Sequence, residues 1–105
     1  MLIVTMETIP GKNLEPLGTV KGSTIQTVNA FKDIGSGLKT LVGGELGNYT
    51  AMMEKARELA TQRMQKQAEQ MGADAVVGLR YCTSSVMQSA AEVMAYGTAV
   101  KYILD

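Results

Sequence analysis

The chain has 105 residues, which suits one domain built around one modest core. Hydrophobic residues make up 46% of it and charged ones only 19%, so it is not a disordered polyampholyte. Ten basic residues balance ten acidic ones, which leaves no electrostatic footprint for duplex nucleic acid or an acidic membrane surface.

Phe31, Tyr49, Tyr81, Tyr96 and Tyr102 are all the aromatics, a sparse set for stacking the bases of single-stranded nucleic acid. Cys82 is alone, so no disulfide closes within the chain and a reducing, cytoplasmic setting is expected. Residues 1–7 lack the basic flank and long apolar run of a secretory signal. The weakly charged stretch 81–100 is interrupted by Thr83, Ser84, Ser85, Gln88, Ser89 and Thr98. A membrane span needs about 20 predominantly apolar residues, so none is expected.

In chain order, Leu2-Ile3-Val4-Thr5 reads as a short strand from its β-branched content. Pro10-Gly11 predicts a turn, because proline presets φ and glycine accepts positive φ. Residues 14–21 read as a second strand whose Pro16 and Gly18 favour a sheet edge or a bulge. Gly22-Ser23 is expected to punctuate it before an extended pattern resumes at residues 24–28. Over residues 30–41, Phe31, Ile34, Leu38 and Leu41 recur at helical spacing, although Gly35 and Gly37 each cost a helix about 1 kcal/mol.

The strongest pattern follows. Leu46, Tyr49, Met53, Ala56, Ala60, Met64, Gln67 and Met71 step by threes and fours, which predicts an amphipathic helix of about seven turns. Gly43-Gly44 precedes it, Glu45 complements the positive end of its dipole, and Gly72 supplies the residue that ends it. Residues 75–84 and 93–104 predict two closing strands with the reversal between them in residues 86–91. The class is therefore α+β in two layers, an antiparallel sheet with one long helix packed on it.

A single helix covers a single sheet face. In the last strand Met94, Tyr96, Thr98 and Val100 lie on one side and Val93, Ala95, Gly97 and Ala99 on the other, and neither set is polar. Burying a large apolar side chain is worth about 1.5–3 kcal/mol, so a second cover is expected. Further copies of the chain would supply it, giving a homo-oligomer. The alternative cover is residues 30–41 folded over that face.

Five ordered blocks carry a family resemblance: Glu7-Thr8-Ile9-Pro10-Gly11, Val42-Gly43-Gly44-Glu45-Leu46 with Tyr49, and Ala73-Asp74-Ala75-Val76-Val77-Gly78, then Thr83-Ser84-Ser85-Val86-Met87 and Ala95-Tyr96-Gly97-Thr98-Ala99-Val100. With them the chain resembles the YbjQ-like family almost end to end. The resemblance implies a dodecin-subunit-like fold and a homopentamer, and some members carry a heavy-metal-binding label. Gln88-Ser89 departs from the glycine-rich turn of that family, and Met6 from its threonine-rich opening.

Candidate chemistry is sparse. With no histidine and one cysteine, soft ligands for a tetrahedral zinc site are lacking within one subunit. A strand cysteine is most often a small buried hydrophobe; a ring of Cys82 thiols around a symmetry axis could bind a soft ion, as could methionine sulfurs, although Met53, Met64 and Met71 on the helix stripe read as core. Gly35-Ser36-Gly37 and Gly43-Gly44 around Lys39-Thr40 precede a helix N-terminus that suits an anion, yet no P-loop register fits and Glu45 opposes it. Glu45, Glu92, Arg57, Arg80, Tyr49 and Tyr96 are the polar residues within or beside the family-like blocks. Glu45 or Glu92 as an acid–base is the enzymatic alternative. The residues name no cofactor. The expected partners are copies of the chain, with a small molecule or metal ion bound at subunit boundaries near the helix entry and last strand. Glu45, Tyr49, Arg57, Tyr96 and Thr98 are the residues expected to bind such a ligand.

Overall fold

The computed structural model describes residues 1–27, 45–87 and 90–104, with the helix side chains from Thr50 onward. Its elements are β1 (Leu2–Ile3), β2 (Asn13–Thr27), α1 (Glu45–Gln70), β3 (Ala75–Met87) and β4 (Ala90–Ile103). They form a four-stranded sheet in the order β1-β3-β4-β2 with α1 packed on one face. The two-layer α+β architecture is as expected.

The sheet is mixed rather than wholly antiparallel. β2 and β3 flank β4 antiparallel, but β1 runs parallel to β3, with Leu2 opposite Ala75 and Ile3 opposite Val76. The expectation failed because the first two strands do not form a hairpin. The chain leaves β1 along the edge of β3, where Val4 N donates to Val76 O at 2.9 Å and Gly78 N donates to Met6 O at 2.8 Å. It then turns through Ile9 to Lys12, closed by Lys12 N donating to Ile9 O at 3.1 Å, and enters β2 at the far edge. Pro10-Gly11 marks that turn, as its chemistry predicts.

β2 is one continuous strand of 15 residues with a bulge between Pro16 and Gly18. Gly22 sits within this strand and is no break. A Cβ there would overlap Met64 N and Ala60 O of the helix backbone, so glycine is needed for helix backbone to rest on strand backbone. The contact governs the helix face. The buried stripe is Met52, Ala56, Ala60, Met64 and Ala68, stepping strictly by four. Ala56, Ala60 and Met64 were legible in the hydrophobic period, whereas Gln67 and Met71 on the expected face are exposed. Gln67 turns to the sheet edge, where its Oε1 accepts Lys21 N–H at 2.7 Å, and Arg63 Nη1 donates to Ser23 O at 2.7 Å. These two side chains occupy outward-facing backbone groups of β2 that would otherwise template another strand.

The end of α1 follows the expectation for Gly72. Its φ is +79°, Gly72 N donates to Glu69 O at 3.0 Å and Ala73 N donates to Ala68 O at 3.1 Å, the paired bonds of a Schellman stop. The expected helix over residues 30–41, the glycine motifs through Gly44 and the turn residues Gln88-Ser89 lie outside the described residues.

The main core joins α1 to the small side of the sheet: Val20, Val76, Val93, Ala95 and Ala99 meet Ala56, Ala60, Met64 and Ala68, all fully buried. A second cluster of Ala75, Val77 and Val100 lies on the other face, covered by Val4, Ile9, Leu14 and Tyr102. Adding a methyl at Gly22 has nowhere to go but into helix backbone. Gly22→Ala is expected to lose about 2–3 kcal/mol of stability, read as a lower urea midpoint, while Ser23→Ala stays within about 0.5 kcal/mol.

Candidate functional site

Two features lie on the sheet face opposite α1: a cleft at one end and, beyond it, a surface of mixed polar and apolar side chains. Both follow from the register. Thr19, Lys21, Ser23 and Ile25 of β2 stand opposite Thr98, Tyr96, Met94 and Glu92 of β4. Arg80, Cys82 and Ser84 of β3 stand opposite Tyr96, Met94 and Glu92 in turn. Because side chains alternate along a strand, these residues share one face.

The cleft has a volume of about 700 Å³ and opens where the segment after β1 crosses the sheet. Leu14, Pro16, Val77, Gly78 and Val100 form apolar parts of its lining. Glu7, Thr8, Lys12, Asn13, Arg80 and Thr98 are its polar groups. Arg80 follows the bulge in β3 between Val77 and its own position, and its Nη1 donates to Leu79 O at 2.8 Å and Thr5 O at 3.2 Å. The ammonium of Lys12 sits over the Tyr102 ring, 4.9 Å from its centroid. Tyr102 is held in turn by its backbone N–H, which donates to Asp74 Oδ2 at 2.8 Å.

Of the residues expected to form a ligand site, Thr98 lines the cleft and Tyr96 lies two positions along the same face, 38% exposed. Arg57 is on α1, in the opposite layer, where its Nη2 meets Glu54 Oε1 at 3.5 Å on the helix surface. Glu45 and Tyr49 stand in the first turns of α1, and their side chains lie outside the described residues. One chain therefore brings Tyr96 and Thr98 together and keeps Arg57 apart from them. Glu92 is on the outer face, where Ser84 Oγ donates to its Oε1 at 3.4 Å. Glu7, Lys12 and Asn13 went unnoticed in the sequence as site residues. The signal available was the block Glu7-Thr8-Ile9-Pro10-Gly11, whose turn places Lys12 against Tyr102.

Cys82 is exposed, contrary to the expectation of a small buried hydrophobe, because it lies on the sheet face opposite α1, beyond the cluster that the first residues cover. Among the described residues no three His, Cys, Asp or Glu side chains gather as a metal site, and the chain has no histidine at all. A closed site for a heavy metal does not fit the described residues of a single chain.

The family model described as "Putative heavy-metal-binding", that of YbjQ, matches residues 1–103. The chain belongs to the YbjQ family. A UPF0145 protein of Clostridium novyi is 57% identical over 103 residues, 98% of this chain and 100% of the relative. One from Methanosarcina acetivorans is 57% identical over 102 residues, covering 96% of each chain. One from Thermus thermophilus is 52% identical over 102 residues, 96% of this chain and 90% of the relative. Among solved structures, a protein of unknown function of the DUF74 family from Pediococcus pentosaceus superposes with a TM-score of 0.64 over 98% of both chains. At 17% identity that likeness speaks to the YbjQ fold alone. Among the described residues no helix is long and apolar enough to cross a membrane.

Proposed function

We propose that this YbjQ-family chain is the subunit of a cytoplasmic homo-oligomer, a pentamer as the resemblance implies, acting as a binding or scaffold module with its ligand site at subunit boundaries. The observation that carries the reading is the outer sheet face. α1 takes the small side of β4, so Met94 and Tyr96 face outward past the reach of the first residues, and Ile25 at 59% and Met87 at 67% extend the exposed apolar surface. The molecule measures 56 × 25 × 18 Å, with a radius of gyration of 16.7 Å against about 13 Å for a compact domain of this length. An elongated shape with a sheet end that no other described residue crosses suits a subunit that packs against its copies. Tyr96 and Thr98 lie on that surface, and a neighbouring copy would bring Glu45, Tyr49 or Arg57 to them.

Light scattering at micromolar concentration tests this. The expected particle is five chains of 11.2 kDa, about 56 kDa, and Tyr96→Asp is expected to shift it to smaller species by placing a charge in a desolvated contact. A wild-type particle of one chain's mass contradicts the reading.

A second reading is a soft-metal binder, favoured by one pairing. Cys82 stands directly opposite Met94 on the open face, and facing residues in a sheet hold their Cβ atoms about 4.5–5.5 Å apart. A thiolate beside a thioether suits a soft ion when neighbouring copies add ligands. Loading with cadmium and measuring bound metal is expected to give binding that Cys82→Ser abolishes. Wild type that returns metal-free from dialysis removes the reading.

A further inference from the structure

We propose that the cleft beneath the first residues binds the oxyanion of a small organic acid, a carboxylate or a phosphomonoester with an apolar body. The cleft is built within one chain, so this inference does not depend on the assembly proposed above. Its volume of about 700 Å³ falls in the range of small-molecule sites, roughly 300–1,000 Å³.

The charges select the ligand. Lys12 and Arg80 both line the cleft, and each is held by neutral groups alone. Lys12 has the Tyr102 ring, while Arg80 has the carbonyls of Thr5 and Leu79. Among the described residues the ion pair is Arg57 with Glu54, remote from the cleft, so neither cation is neutralised by a carboxylate at contact distance. Both recorded Arg80 bonds leave from Nη1, and a guanidinium carries five N–H donors, so its remaining edge is available to an oxyanion. Those two carbonyls fix the side chain in advance, which lowers the ordering cost of binding.

The rest of the lining sets the body of the ligand. Val77, Val100, Leu14 and Pro16 offer an apolar floor, and the Thr98 hydroxyl can donate or accept beside it. Glu7 also lines the cleft, and its carboxylate opposes the ligand's negative charge. A bare ion would meet only the cations, whereas an acid with an aromatic or branched body gains from the floor as well.

Titration of the full native protein with phenyl phosphate, benzoate and inorganic phosphate, followed by amide chemical shifts, tests the proposal. Shifts are expected at Lys12, Gly78 and Thr98, with phenyl phosphate or benzoate binding more tightly than inorganic phosphate. The stronger of the two names the acid. Lys12→Met keeps the stem on Tyr102 and is expected to weaken binding roughly two- to fivefold, in line with one exposed ion contact. Glu7→Gln is expected to tighten it by about threefold, a gain that a structural role would not produce. Raising ionic strength is expected to weaken all of these. The proposal is overturned if no cleft amide shifts with any probe at millimolar concentration, or if Lys12→Met and Glu7→Gln leave the affinity unchanged while both remain folded.

Discussion

The close seating of α1 on β2 constrains everything else in this molecule. At Gly22 the helix backbone of Ala60 and Met64 lies where a side chain would stand, and the alanines at 56, 60 and 68 keep the rest of the stripe equally low. Such proximity suits small partners, and Ala95 and Ala99 of β4 face the helix beside Val20, Val76 and Val93. The alternation of a strand then leaves no choice for the other side. Met94, Tyr96, Thr98 and Val100 must point away from α1. A helix packed over larger residues would have reversed the assignment and hidden the bulky row.

That outward row meets two different fates along β4. At one end the first residues of the chain cross over Val77 and Val100, held to the edge of β3 by the backbone bonds of Val4, Met6, Gly78 and Leu79. The crossing makes a roof that does not close, and the gap is the cleft with Lys12 and Arg80 at its rim. At the other end nothing in the described residues crosses the sheet, so Met94 and Tyr96 keep company with Cys82, Ser84 and Glu92. Polar and apolar side chains thus alternate on one surface without a cover. The edge of β2 is occupied by Gln67 and Arg63 from the helix, whereas among the described residues no strand pairs with the outer edge of β3 past Leu79.

Much of the fold was legible because its strongest signals are local. The period of Ala56, Ala60 and Met64, the stop at Gly72 and the turn at Pro10-Gly11 each depend on residues a few positions apart. The misreadings share a non-local cause. Gly22 reads as punctuation until a helix some 40 residues away is placed on it, and the sheet reads as wholly antiparallel until Ala75 is known to lie beside Leu2. Gln67 passes for a polar interruption of a core stripe, although its carbonyl serves the β2 edge. The candidate site was legible in part. Tyr96 and Thr98 share a face by simple alternation, but the convergence of Lys12 and Arg80 needs a bulge and a crossing chain that no spacing rule contains.

Where Met94 and Tyr96 meet a neighbouring copy, as proposed for the far end of β4, Cys82 is a natural reporter of the contact. It lies opposite Met94 and is the only thiol in the chain. The most direct measurement is the rate at which a small alkylating reagent modifies Cys82 in native wild type and in Tyr96→Asp. Wild type is expected to react at least tenfold more slowly than the variant, with both equally fast in denaturant, since burial at a contact limits access to the thiolate. Equal and rapid labelling of the two folded proteins would show this surface open to water and would contradict the account.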